Sequence, residues 1–226
     1  MFTRYAIYYT PEPGTRLAEF GANWLGWDSA AGAARMHPET DGLDVAQITA
    51  TPRKYGFHGT IKPPFRLAEG MTAQGLADAV AALCAEAAPV TLEGLELARL
   101  GRFLALVPSG DASALGTLAG RAVQELDAFR ARPNEAELAK RRASRLSAAQ
   151  EAHLLRWGYP YVLDQFRFHL TLSGPLEADV AEQVQGALAG PVSVLDLVPF
   201  RINGLTLLGE DDTGKFHQIH RYTLTG

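Results

Sequence analysis

The sequence predicts an α+β fold, a bilobal duplicated arrangement of two antiparallel sheets with helices on the outside and a central cleft. Three observations carry that prediction. One phrase occurs twice, as Phe57-His58-Gly59-Thr60-Ile61-Lys62-Pro63-Pro64-Phe65 and as Phe168-His169-Leu170-Thr171-Leu172-Ser173-Gly174-Pro175-Leu176. Each copy leads into the same succession: a helical run, a Pro-Val pair (Pro89-Val90, then Pro191-Val192) and strands able to form a hairpin. Such self-similarity means one supersecondary unit used twice. Finally, nothing winds strands and helices in alternation as a parallel sheet requires, and no Gly-rich nucleotide loop of the P-loop or dinucleotide type is read. The expected organisation is a single domain over residues 1–226, with repeat units 53–108 and 165–224 and a helical insertion at 111–157.

In chain order, Arg4 to Tyr9 is aromatic and β-rich and is stopped by Pro11-Glu12-Pro13-Gly14, which predicts a strand. Thr15 to Leu25 carries Leu17, Phe20, Trp24 and Leu25 at helical spacing. Gly26 to Thr51 has weak periodicity and reads as a long, partly irregular connection, a kind that is often functional in a compact domain. Thr72 to Ala88 is helical, with Leu76, Val80 and Leu83 on one face. Val90 to Leu100 and Arg102 to Val107 read as strands joined at Gly101. Asp111 to Arg130 is helical. Asn134, backed by Glu137, caps a second helix toward Leu146, and Ser147 caps a third that reaches Trp157. After the second motif, Glu177 to Ala189 is a helix and Pro191 ends it. Val192 to Val198, Arg201 to Leu208 and Lys215 to Leu224 are strands.

The composition is that of a soluble globular protein: 47% hydrophobic, 20% charged, net charge −4. That charge gives no support to a broad nucleic-acid surface. Cys84, the one cysteine, rules out an internal disulfide and sits in an alanine-rich helical run, which points to buried packing and fits a reduced cytoplasmic setting. No apolar run approaches the ~20 residues of a membrane span, and no secretory signal is read at the N-terminus.

The chemistry lies in the repeated phrase. Side chains alternate across a strand, so His58 and Thr60 share one face while Phe57, Gly59 and Ile61 take the other; His169 and Thr171 stand likewise against Phe168, Leu170 and Leu172. Each copy thus buries an apolar face and presents an imidazole beside a hydroxyl. Two histidines across one phosphodiester can divide general-base and general-acid work, since both protonation states are accessible near neutral pH. The threonine hydroxyls can donate to non-bridging phosphate oxygens, where transition-state charge grows. This scheme requires no metal and no cofactor. Parity adds Lys62 and Lys54 to the His58 face and Arg167 to the His169 face as phosphate-binding candidates, the alternative being solvated edge charges. Tyr55, Tyr159 and Tyr161 lie near the motifs, either to stack on a base or sugar or to fill the core. The remaining histidines gain nothing from the repetition. His217 and His220 point to opposite strand faces unless a bulge intervenes, which opposes a zinc site.

The two His-x-Thr motifs on duplicated strand-helix-strand-strand units resemble the 2H phosphoesterase superfamily, which includes 2′,3′-cyclic nucleotide phosphodiesterases and RNA 2′-5′ ligase-like proteins. The resemblance implies a bilobal fold, a central cleft and a metal-independent mechanism, with His58, Thr60, His169 and Thr171 in the motif positions. Tyr55–Phe65, Trp157–Val162 and Phe166–His169 look like the branch encoded in bacterial phosphonate-utilisation operons, and the similarity runs from Arg4 to Leu224. Gly59 stands where that branch leads one to expect alanine. The resemblance implies an enzyme, a phosphoric diester hydrolase that opens a ribose cyclic phosphate in phosphonate catabolism. An RNA-end 2′,3′-cyclic phosphodiesterase and a non-catalytic nucleotide- or phosphosugar-binding protein are the alternatives. A small phosphorylated substrate, no membrane and a monomer are expected. Which histidine is the acid is left open. The 111–157 helices, with the Gly26–Thr51 connection, are expected to cover the cleft, with Arg130, Arg141 and Arg142 as candidate contacts.

Overall fold

The computed structural model describes residues 2–226. Its spine is one antiparallel sheet. β1 (Arg4–Tyr9) pairs on one side with β10 (Gly204–Glu210), which pairs in turn with β11 (Phe216–Thr223). On its other side β1 pairs with β4 (Gly59–Phe65), the strand of the first motif. β4 meets β8 (Leu170–Thr171), the strand of the second, and β8 continues into the hairpin of β7 (Phe103–Ser109) and β6 (Gly94–Leu100). The two antiparallel halves therefore join at the seam where the motifs touch, through the pair Gly59↔Leu170. A Cβ on residue 59 would lie 2.2 Å from the outer edge of the Phe168 ring, so any larger residue there requires that ring to move. The glycine that departs from the resembling branch thus lets the Phe168 ring pack directly on the backbone of β4.

The elements recur in the expected order, but the pairing exchanges them. The β6–β7 hairpin, from the first repeat unit, lies beyond the second motif strand, and β10–β11, from the second unit, lies on the far side of β1 from the first. The strands that follow the two long helices, β5 (Val90–Leu92) and β9 (Phe200–Ile202), pair with each other. Each half of the sheet thus draws on both units instead of one unit building each lobe. The physical reason is the direct contact of the motif strands, which leaves each hairpin to extend the opposite flank.

One sheet face is buried under helices. α1 (Arg16–Leu25), capped by the Thr15 hydroxyl and closed by Gly26 in the left-handed region, sends Leu17, Trp24 and Leu25 into the core. α4 (Ala73–Glu86) packs on β10 and β11, and its Leu76, Val80, Leu83 and Cys84 are buried. α5 (Ser113–Glu125) lies on β4 through Leu115, Leu118, Ala119, Ala122 and Val123. Each such fully buried aliphatic chain is worth about 1.5–3 kcal/mol. α8 (Ala178–Ser193) covers β6 and β7. It runs through Pro191 because Val192 is held in the core and keeps the last turn helical. The strand predicted for Val192–Val198 is accordingly absent, and chain pairing resumes only at Phe200.

The connection after α1 forms a small ribbon of β2 (Trp27–Asp28) and β3 (Ala33–Ala34), then two single-turn helices, α2 (Val45–Ile48) and α3 (Ala50–Arg53). In the insertion, Asn134 with Glu137 and Ser147 with Gln150 form complete capping boxes for α6 (Glu135–Arg142) and α7 (Ala148–Trp157). α6 buries no residue and α7 only Leu154, so this pair rims the sheet and adds little to the core. Among the described residues no helix is long and apolar enough to cross a membrane.

Candidate active site

On the sheet face opposite the helices, the two motifs open into a cavity of about 330 Å³. His58, Thr60 and Thr171 line it, with Tyr8, Tyr55, Tyr159, Arg4 and Arg141 around them and Thr51, Pro52 and Phe103 at the sides. His58 lies just before β4. Gly56, in the left-handed region at φ 71°, turns the chain so that its carbonyl accepts the His58 Nδ1–H at 2.9 Å. A carbonyl can only accept, so Nδ1 carries the proton and Nε2 of the neutral ring is a lone-pair acceptor. The Thr60 hydroxyl donates to that Nε2 at 3.2 Å. His169 repeats the arrangement: its Nδ1–H donates at 2.8 Å to the carbonyl of Arg167, again two residues earlier. Each ring is therefore fixed in one tautomer with Nε2 as the working nitrogen. His169 packs against Phe103 at 5.6 Å and precedes Thr171, both of which face the cavity.

Tyr8 stacks on the His58 ring, 3.8 Å between centroids and 21° from parallel, with Tyr55 tilted against it at 5.9 Å. Burial pushes the His58 pKa down to about 4; the Gly56 carbonyl opposes this, and the positive charge of protonated His169 adds to it. Arg4 is held on the cavity wall by a bidentate ion pair to Glu210, its neighbour across the β1–β10 ladder, and the Thr3 hydroxyl also donates to that carboxylate.

The other residues singled out by parity are distributed differently. Lys62 is not in the cavity. Between Tyr8↔Thr60 and Ile7↔Lys62 the register slips by one residue, and this bulge turns Lys62 to the core face that Ile7 occupies. There its ammonium donates at 2.9 Å to the Val123 carbonyl of α5 and stands 4.0 Å from Asp127. Burial lowers its pKa to about 8, with Asp127 opposing. Arg167 is exposed and contributes its carbonyl to the site, since β8 begins only at Leu170 and strand alternation does not extend back to residue 167. Tyr161 is 41% exposed and stands edge-on to Tyr159 outside the cavity, whereas Tyr55 and Tyr159 line it. Lys54 lies over the Tyr55 ring at 4.9 Å, exposed. Of the three insertion arginines, Arg130 pairs with Asp127 and Arg142 with Glu151, while Arg141 reaches the cavity, its guanidinium 4.6 Å over the Tyr159 ring. His217 and His220 do flank a bulge at Leu207/Leu208, but His217 bonds Asp211 at 2.8 Å and His220 packs edge-on against Tyr222.

Tyr8 and Arg4 line the cavity, and the sequence reading passed over both as strand positions. Their common parity on β1 was the available signal, since Arg4, Ala6 and Tyr8 share one face. The cavity presents the His58 ring, the hydroxyls of Thr60 and Thr171 and the guanidinium charge of Arg4 and Arg141, a set suited to an oxyanion, while His169 stands beside Phe103 and is not among its lining residues.

A family model described as "Protein of unknown function (DUF1045)" matches residues 60–217. Two curated relatives, both named "Ribose 1,5-bisphosphate phosphokinase PhnN", are similar over nearly the whole chain. The one from Janthinobacterium sp. (strain Marseille) is 38% identical over 94% of this chain and 48% of its own length. The one from Laribacter hongkongensis (strain HLHK9) is 34% identical over 96% of this chain and 51% of its own. The chain thus spans about half the length of the curated relatives it matches. Among solved structures, E. coli LigT complexed with 3′-AMP is similar over 100% of both chains at 15% identity and a TM-score of 0.47. A protein of Thermus thermophilus, TT0787, is similar at 14% identity and a TM-score of 0.42, over 99% of this chain and 98% of its own.

Proposed function

The chain belongs to the DUF1045 family of unknown function, and from that premise we propose that it is a metal-independent cyclic phosphodiesterase that opens a ribose cyclic phosphate in phosphonate catabolism. The observation that carries the reading is the mirrored setting of the two histidines. Each has Nδ1 tied to the carbonyl two residues before it, and each is followed two residues on by a threonine that faces the cavity.

His58, whose pKa lies at about 4, is neutral at physiological pH and serves as the base. Its Nε2 takes a proton from water as the water oxygen bonds to phosphorus. The bond from phosphorus to the ring-closing ribose oxygen breaks, and that oxygen takes its proton from His169 Nε2. One water is consumed, and the product is a phosphomonoester with a free sugar hydroxyl. Proton exchange with solvent resets both rings. With substrate bound, the Thr60 hydroxyl turns from His58 Nε2, freeing that nitrogen for the water proton, and Thr60 and Thr171 donate to the non-bridging oxygens as charge builds there.

The relatives' name concerns those proteins, about twice this length. It bears on this chain through chemistry: hydrolysis of a 5-phosphorylated ribose 1,2-cyclic phosphate at its 2-oxygen yields ribose 1,5-bisphosphate, the compound in that name. A kinase role for this chain has no support in its loops. Gly209–Lys215, the segment nearest to a P-loop pattern, is the end of β10 and the turn into β11, and is followed by Phe216 in a strand where that pattern has Ser or Thr and opens a helix.

The test is one panel: ribose 1,2-cyclic phosphate esters, nucleoside 2′,3′-cyclic phosphates and RNA ending in a cyclic phosphate, with and without EDTA. Turnover of the first class, unaffected by EDTA, is expected. His58→Ala and His169→Ala should each lower the rate by about 10²–10⁴-fold without changing the melting temperature by more than a few degrees. Near-full activity in either variant removes the site assignment, and abolition by EDTA removes the metal-free scheme.

A further inference from the structure

A second, smaller pocket of about 150 Å³ shares Arg4, Pro64 and Arg141 with the histidine cavity and continues it toward α6. Its polar wall is almost wholly cationic: Arg4, Arg66, Arg130, Lys140 and Arg141, against Glu137. Glu137 is taken up by Arg66 at 3.1 Å, Asp127 pairs with Arg130, and Glu210 holds Arg4. Lys140 and Arg141 have no carboxylate partner among the described residues. They are consecutive in the last turn of α6, whose N-terminal capping box and Arg66–Glu137 bridge dock it over the end of β4. In a chain of net charge −4 this grouping of cations is local, gathered around one small pocket.

We infer that this pocket is a phosphomonoester subsite, so that the substrate is a pentose bearing both a cyclic phosphodiester at the histidines and a second phosphate held by Lys140 and Arg141. The inference rests on the cyclic phosphodiesterase reading and narrows its substrate class. Size supports it. About 150 Å³ is the room of roughly five waters, enough to seat one phosphate group against the cationic wall. Guanidinium groups suit it, because they offer paired donors to phosphate oxygens. Arg4 and Arg141 stand on the wall that the two pockets share.

The experiment compares 5-phosphorylated ribose 1,2-cyclic phosphate with the same compound lacking the 5-phosphate, in the intact protein and in Lys140→Ala, Lys140→Glu and Arg141→Ala. The protein should prefer the 5-phosphorylated compound by about 10- to 100-fold in kcat/KM, largely through KM, the range expected for a charge-assisted contact. The Ala variants should cut that preference ratio about tenfold and Lys140→Glu should erase it. Ratios unchanged in all three variants would overturn the subsite, as would equal losses on both compounds. If neither compound is turned over, the reaction assigned above fails, and binding decides the subsite alone. Calorimetry with ribose 5-phosphate should then show binding that Lys140→Glu abolishes, and an intact protein that does not bind it removes the subsite.

Discussion

His58 shows how much one side chain's setting decides. It is tied by Gly56, stacked on Tyr8 and partnered by Thr60, and these contacts withdraw it from water. The resulting drop in pKa to about 4 has a sign that can be checked. Above pH 6.5 the imidazole is neutral in both folded and unfolded chains, so it contributes no pH dependence. Between 6.5 and 4 the unfolded chain binds a proton that the folded one refuses, so stability falls as the solution is acidified. Thermal melts from pH 7 to 4.5 should therefore show a steeper loss for the wild-type protein than for His58→Gln, and parallel curves would contradict the buried setting. The His-x-Thr residues themselves were legible in the sequence because their spacing of two matches the strand period and the phrase recurs. Tyr8 and Arg4 were not, because what makes them site residues is a motif some 50 residues away and Glu210 at the other end of the chain.

At the level of elements, the helices with local punctuation were the most legible. Thr15, Thr72, Asn134 and Ser147 each cap the helix that follows, through bonds within three residues. Strand parity was less secure. The bulge in β4 reversed the face of Lys62, and the packing of Val192 carried α8 through a proline that local rules make a stop. Lys62 is better understood as a buried link from β4 to α5 than as a phosphate ligand. Its cost to stability is full below pH 8 and lifts as pH rises toward 10.5, where the unfolded lysine also loses its proton. Lys62→Met should leave KM and kcat within about twofold and keep or raise the melting temperature at pH 7, as replacing buried charge often does. A tenfold rise in KM would return the lysine to the substrate.

For the molecule as a whole, the exchange of hairpins between the two repeat units makes the motif seam the centre of the sheet. Both histidines then belong to one body, with β1 and β4 on one side and β7 and β8 on the other. The charge distribution follows the same plan, with cations gathered at the cleft and its side pocket on a chain of net charge −4. If the proposed reaction holds, a cleft built this way should take small phosphorylated sugars in preference to RNA. At 150 mM salt, kcat/KM on cyclic-phosphate-ended RNA should fall at least tenfold below that on the small bisphosphorylated substrate. Its log–log salt slope should be no steeper than about −1.5, the value for two single-strand phosphate contacts. A slope near −4 would mean an extended nucleic-acid track.

The sequence by itself determined the α+β class, most of the helices and their caps, the repeated strand-helix-hairpin order and the four motif residues, because each rests on contacts or periodicities within a few residues. Only the tertiary structure decided which hairpin flanks which motif, that Lys62 faces the core, that Arg4, Tyr8 and Arg141 wall the cleft, and that a second cationic pocket adjoins it. Those features depend on register, bulges and partners up to 206 positions apart, where short-range pattern carries no information.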